Sequence, residues 1–316
     1  MSVYEIALSV SACLRAGTRV DVAWAVQTEG FSSREKNEAL AITPGGGRIG
    51  SLLSGSLNDQ IADLSDQGAT GRLVELHVGD LEAELAGLSC AGVARCLVTP
   101  AADLPAGLWD RLLVRDPICL VTRLDGDKVV DVAMFDQATI ADAGEDAAQL
   151  FGRGTSDTLI APDVVITALW PVPKLVVIGA GAIADALCAV ADLLGWQTQV
   201  VTEHRIATGV IAALAVLDKV VVTSHDDDLA GPALMSALAG QVGYIGALGS
   251  RRTQQSRADW LAYRNVTDLA RIHGPAGLDI GANTPPEIAV AIVAEALAVS
   301  SSTSAGPLRE RSGSIH

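Results

Sequence analysis

The chain has 316 residues, a formal net charge of −15 and 49% hydrophobic residues, enough length for two domains that each bury a core. The acidic balance argues against nucleic-acid binding, which rests on Lys and Arg neutralising phosphates, and no apolar run reaches the roughly 18 residues of a membrane span. The first residues lack the basic segment and apolar stretch of a secretory signal, so a cytoplasmic location is expected. Five cysteines, Cys13, Cys90, Cys96, Cys119 and Cys188, show no CxxC spacing, which fits a reduced compartment and gives no zinc site.

In chain order, Ile6, Ala7, Val10, Cys13 and Leu14 recur at helical spacing, predicting a helix over 4–16. Strand-like density follows at 20–27 and 39–42, with a turn at Pro44-Gly45-Gly46-Gly47 leading into 48–53. A helix is expected over 58–66, and strands at 73–76 and 94–98 flank the loop 87–92. Ile118 to Arg123, the turn Asp125-Gly126-Asp127 and Lys128 to Val130 predict a hairpin. These elements make residues 1–135 a smaller mixed α/β domain. Residues 136–171, rich in Ala, Asp and Gly without a clear period, read as a connecting region ending at Trp170-Pro171. The tail 300–316 has almost nothing to bury and reads as disordered.

Residues 172–299 carry the clearest pattern. Lys174-Leu175-Val176-Val177-Ile178 is a continuous apolar run, as in parallel strands buried on both faces. It enters Gly179-Ala180-Gly181-Ala182-Ile183-Ala184 and a helix burying Ile183, Leu187, Val190 and Leu194. In such a turn Gly179 allows the sharp bend, Gly181 admits a phosphate to the backbone and Ala184 keeps the helix close to the sheet. The free N–H groups at the helix start then face an anion. This predicts a Rossmann-like, doubly wound parallel sheet.

Later strands deliver further candidates. After 198–201 the tip Thr202-Glu203 offers Glu203 for a ribose, with a solvated carboxylate an equal reading. Only 206–217 precedes the next strand, room for one helix and hardly for a third strand. Lys219 to Thr223 ends in Ser224-His225-Asp226, placing His225 and Asp226 at a ligand crevice or, on the plainer reading, at a helix N-cap. The strand 243–248 delivers Gly249, Ser250, Arg251 and Arg252, an anion site or a solvated pair bridging Asp residues. Thr284, Pro285 and Glu287 form a capping box for a last helix.

Together, Gly179-Ala180-Gly181 with Ala184, Ser224-His225-Asp226 with Leu229, Tyr244-Ile245-Gly246 with Gly249-Ser250-Arg251-Arg252, and Gly277-Leu278-Asp279-Ile280-Gly281-Ala282 with Thr284-Pro285 resemble the XdhC/CoxI family. The likeness runs from about 173 to 298. In the first half, Gly30 to Arg34, Gly50 to Asn58 and Ser89-Cys90-Ala91-Gly92 resemble family loops, which adds Arg34, Ser56 and Cys90 to the cofactor-binding candidates. Cys90 is expected to be a buried structural thiol. The resemblance implies an accessory protein, without turnover of its own, that binds the molybdenum cofactor in molybdopterin or dinucleotide form. It also implies a molybdenum hydroxylase apo-enzyme as partner, a sulfurase or a complete family member as a further one, and a homodimer.

Four positions depart from the family pattern. Its motif cysteine is Ser56 here, its glutamate Asn58, the histidine after the nucleotide glycines Ala182 and the aspartate at the second strand tip Thr202. A serine hydroxyl is a far poorer ligand for a soft metal or sulfur than a thiolate. Two alternatives stand beside this reading: an NAD(P)-dependent oxidoreductase with His225 or His273 as base, and a structural partner that binds nothing.

Overall fold

The computed structural model describes residues 3–31, 38–88, 90–301 and 303–310, which fall into two compact units, Met1–Pro171 and Val172–His316.

In the first unit, helix α1 (Val3–Arg15) precedes strands β1 (Asp21–Glu29), β2 (Ala39–Thr43) and β3 (Gly47–Gly50), then helix α2 (Asn58–Asp66) and β4 (Arg72–Val78). Short helix α3 (Asp80–Leu85), β5 (Gly92–Pro100), short helix α4 (Leu108–Leu113), β6 (Ile118–Asp125) and β7 (Lys128–Phe135) follow. Helix α5 (Glu145–Gly152), β8 (Asp157–Ala161) and β9 (Val164–Leu169) complete it. All nine strands join one antiparallel sheet in the order β3-β2-β1-β5-β4-β7-β6-β9-β8. Alternation along β1 sends Val22, Trp24 and Val26 into one core and Ala23 and Ala25 into another. The first core also takes Leu120 of β6 and Val165 of β9, so the sheet curls round it.

Segment 136–171 is therefore no connector. It supplies a helix and two strands, with Phe151 and Ile166 in a core of their own. Its tie is Trp170, whose indole N–H donates to the Phe151 carbonyl at 3.1 Å. With that segment included, the N-terminal unit, expected to be the smaller, is the longer of the two. Of the tail, residues 303–310 are described, exposed and carry one 3-10 turn at Leu308–Glu310.

The second unit alternates strand and helix: β10 (Lys174–Ile178), α6 (Ala182–Leu193), β11 (Gln197–Val201), α7 (His204–Ala212), β12 (Lys219–Val222), α8 (Asp227–Ala239), β13 (Tyr244–Ala247), α9 (Arg251–Ala262), β14 (Ile272–His273) and α10 (Pro285–Ser300). The five strands pair in parallel in the order β11-β10-β12-β13-β14. Helices α6 and α10 cover one face, and α7, α8 and α9 the other. The expected Rossmann-like sheet is present, and β11 is an edge strand, as the short stretch after it requires. One packing expectation fails: α6 ends at Leu193, and Leu194 is exposed while Ala191 takes the buried position.

The amino end of β12 is pinned by buried charge. Asp218 accepts from the amides of Lys174 and Ala215, both at 2.9 Å. Lys219, only 2% exposed, donates its ammonium to the Leu217 carbonyl and lies over the Trp196 ring, 4.6 Å from its centroid. Burial pushes this ammonium down to about 8 from 10.5, with Asp218 pulling the other way. Between those two values the unfolded chain binds more protons than the folded one, so this group's contribution to stability rises with pH through that window. The unfolding free energy of the wild type minus that of Lys219→Met is accordingly expected to increase from pH 7 to pH 10 in denaturant titrations. A difference that stays flat would show that the ammonium is hydrated.

Candidate functional site

Parallel pairing in the second unit brings the carboxyl ends of all five strands to one edge. With this strand order, successive connections leave β10 and β12 toward opposite faces, and a crevice for a ligand opens between them. The Ile178 carbonyl at the end of β10 accepts from the amides of Thr223 and Ser224, at 2.9 and 3.0 Å, so the two loops start in contact. A Cβ on Gly179 would stand 2.7 Å from the Ser224 amide nitrogen, which makes glycine a requirement of that crossing.

Gly181 answers a different demand. It takes φ +113°, and a Cβ built there meets nothing within 4 Å, so the space beside it is open. It is the N-cap of α6, with no side chain bonded to the helix start. The amides of Ala182, Ile183 and Ala184 are left without an intrahelical acceptor, as in the first turn of any helix. Ala184 is buried against the sheet and holds that turn down. The result is a cluster of outward amide dipoles suited to an anion.

The remaining candidates divide by what their side chains already do. Asp226 caps α8, accepting from the Asp228 amide at 2.9 Å, so the plainer N-cap reading describes it. Ser250 caps α9 in the same way, accepting from the Thr253 amide at 3.3 Å, after Gly249 has turned the chain at φ +132°. Glu203 and His225 are exposed at the tips of β11 and β12 with no side-chain partner among the described residues. Arg251 and Arg252 are exposed at the start of α9 and make no ion pair with any described carboxylate, so they do not bridge Asp residues. Two guanidinium groups and one open helix start thus share the edge.

Two elements of this site escaped the sequence reading. Arg257, on α9, is 4% exposed and donates to the Leu248 carbonyl at 2.6 Å and to the Ser224 carbonyl at 2.8 Å. Its phase was the available signal, since Gln254, Arg257 and Leu261 recur on one helix face. The second is Glu295, which accepts from the Tyr244 hydroxyl at 2.6 Å and the Gly277 amide at 2.8 Å and lies 3.4 Å from His273 Nδ1. Burial, with Glu295 beside it, raises the Tyr244 hydroxyl far above its usual range. The His273 ring stacks on Tyr244, so this candidate base is engaged in holding the glycine-rich loop.

In the first unit, three segments of interest meet at one end of the nine-stranded sheet, where Glu29 pairs with Val93 and Gly50 with Leu40. Glu38 accepts from the Leu53 amide at 2.5 Å, Asn58 accepts from the Leu52 amide at 3.1 Å, and Ser56 donates to the Leu53 carbonyl at 2.9 Å. Ser56 and Asn58 therefore spend their polar groups on their own loop, in which Leu53 and Ser54 hold φ of 46° and 54°. Arg34 lies outside the described residues. Cys90, expected to be buried, is exposed, because the chain there bends between α3 and β5 and turns toward solvent instead of packing. The deeply buried thiols are Cys96, pushed up to about 12 by desolvation and then by Glu38, and Cys119, pushed up to about 11 by desolvation.

Comparison with known proteins adds the following. Residues 175–296 match the family described as XdhC Rossmann domain. A curated relative, "Uncharacterized protein YqeB" of Escherichia coli (strain K12), is 31% identical over 156 residues, 42% of this chain; the chain spans 28% of that relative's length. A crystal structure called a xanthine dehydrogenase, from Bacillus halodurans, superposes with a TM-score of 0.50 at 20% identity over 98% of each chain, a likeness of fold.

The burial pattern sets the order in which thiols react. At pH 8 a thiol reagent is expected to label Cys90 in a fast phase that Cys90→Ser removes, while Cys96 and Cys119 react only in denaturant. Cys13 and Cys188 are half-buried and can add a slower phase, so the exposed placement is refuted by a fast phase whose amplitude is unchanged in Cys90→Ser.

Proposed function

From the premise that residues 175–296 are an XdhC Rossmann domain, we propose that the chain is an accessory protein for a molybdenum hydroxylase of the xanthine dehydrogenase type. It binds the molybdenum cofactor and hands it on without a turnover of its own. The observation that carries this reading is the edge of the five-stranded sheet, where the open amides beside Gly181, with Arg251 and Arg252, which have no partner among the described residues, offer positive charge within an acidic protein.

These residues suit the phosphate of the cofactor. Main-chain amides bind it without desolvating a lysine, and guanidinium groups supply charge-assisted hydrogen bonds. Nothing comparable suits the metal at position 56: the Ser56 hydroxyl is a poor soft-metal ligand and is bonded to the Leu53 carbonyl. The chain accordingly holds its cargo by the phosphate end, and any sulfur chemistry falls to a partner, either a sulfurase or a complete family member with cysteine at the matching position. When bound, the cofactor supplies the redox chemistry of the client enzyme. This chain contributes binding, orientation and shielding from water. A cytoplasmic homodimer fits the proposal.

Anaerobic titration with free molybdenum cofactor, NAD and NADP, followed by fluorescence or calorimetry, tests it. The cofactor is expected to bind and the nicotinamides not. Arg251→Ala combined with Arg252→Ala should weaken retention about tenfold to a hundredfold, ~1.5–3 kcal/mol, the worth of a charge-assisted hydrogen bond. Retention unaltered by the double substitution would remove the phosphate site, and nicotinamide binding with reduction of a substrate would establish an oxidoreductase instead.

A further inference from the structure

Toward the β14 end of the sheet, the second unit contains a cavity of about 320 Å³ between α9 and the segment that leads into and out of β14. Its lining combines apolar side chains, Leu234 of α8, Leu261 of α9, and Leu269, Ile272 and Pro275 from the β14 segment, with the polar Gln254, Gln255 and Arg257 of α9. Arg251 stands on its rim, at the same sheet edge as the start of α6. The volume sits at the low end of small-molecule sites, about 300–1,000 Å³, enough for one or two fused rings but not for a whole dinucleotide.

One polar group in the wall is fixed in orientation. The Gln254 side chain donates its Nε2 to the Ala247 carbonyl at 2.9 Å and to the Gly249 carbonyl at 3.3 Å. Turning the amide over would set its oxygen against two carbonyl oxygens, so Oε1 must face the other way, toward Gly274. No described protein donor reaches Oε1, and a Cβ on Gly274 would stand 2.7 Å from it, so the residue type at 274 leaves room for Gln254 to hold this pose. The cavity thus offers apolar side chains on two sides, one oriented acceptor, and the guanidinium of Arg251, unpaired among the described residues, while Arg257 in the same lining is held by the Leu248 and Ser224 carbonyls. That set matches a flat heteroaromatic ring with an amino donor and a nearby negative charge.

We infer that this cavity receives the amino-substituted heteroaromatic ring of the ligand, an inference that rests on the reading above in which the ligand's phosphate lies at the start of α6. β10 and β14 are three strand spacings apart, about 14 Å, a span that a ring joined to a phosphate through a sugar or pyran and its linker can cover. The edge position of β11 leaves no further strand on the other side of the crevice to support a ring there. Adenine, cytosine, guanine and pterin all carry the required amino group.

Titration calorimetry on the full chain separates these sources and separates the two sites. The ring probes are adenosine, cytidine, guanosine and 6-carboxypterin, which carry no phosphate, and inorganic pyrophosphate probes the amides of α6. At least one ring probe is expected to bind the wild type. Ala258→Phe and Leu269→Trp fill the cavity from opposite walls, so one remains informative if the other misfolds. Either should weaken that ring probe tenfold or more while leaving pyrophosphate binding unaltered, and Gly181→Val should do the reverse for pyrophosphate. The inference is overturned if no ring probe binds, or if ring binding survives both cavity-filling variants unchanged. A wild type that binds the rings in a cavity-dependent way but takes no pyrophosphate would instead sink the phosphate reading and leave the ring site standing.

Discussion

The candidate site depends on a charge that never reaches the surface. Arg257 lies under the carboxyl edge of the five-stranded sheet and bonds the carbonyls of Ser224 and Leu248, which open the loops after β12 and β13. Burial lowers its proton affinity, with Asp227 opposing, yet a guanidinium stays charged at any physiological pH. Removing it would leave two inward carbonyls without donors, at about 1–3 kcal/mol each. The two loops it joins carry His225 and Asp226 on one side and Gly249 to Arg252 on the other. Their separation is thus set by a buried side chain, while Gly179 sets the approach of the β10 loop to Ser224.

An anion site in a chain of net charge −15 must be made locally. The carboxylates nearest the edge are largely spent on helix starts: Asp226 on the Asp228 amide, and Glu287 on the amides of Asn283 and Thr284, which hold its carboxyl below the usual range. Asp227 and Asp228 lie in the first turn of α8, where the helix dipole favours negative charge. The first turn of α6 carries only Asp185, and α9 starts with two arginines and no acid. The starts of α6 and α9 thus lack the paired acids that open α8, and the surrounding acidic surface discourages non-specific polyanions.

The second unit was legible because its central strands β10, β12 and β13 are buried on both faces. β10 and β12 read as unbroken apolar runs, and glycines or a capping box follow where the chain must turn. The first unit hid more. Helices α3 and α4 have six residues each, too few for a helical period to emerge. β8 and β9 lie within 136–171, where the apolar runs 157–161 and 164–169 are separated by only Pro162 and Asp163 and were masked by the Ala- and Asp-rich stretch before them. Arg257 was passed over because an arginine on a mid-helix face reads as solvated, and only the carbonyls it meets in the fold reveal its burial. Cys90 erred in the opposite direction, since cysteine is among the most buried residue types and the bend that exposes it has no local signature.

The order of the strands limits how a ligand can lie. In a sheet ordered β11-β10-β12-β13-β14, the crevice sits between β10 and β12, and only β11 extends on one side of it. Its tip presents Glu203 in solvent, with α7 following at once, so a base placed there would have one face in water and little apolar area to bury. On the other side stand two more strands, α8 and α9, a cavity with apolar side chains from α8, α9 and the β14 segment, and the loop that Glu295 and Tyr244 hold through Gly277. Burial of apolar area at about 25 cal/mol per Å² favours the side with walls. A phosphate at Gly181 therefore directs the rest of its molecule toward β13 and β14, opposite to the side on which a full Rossmann sheet supports an adenosine.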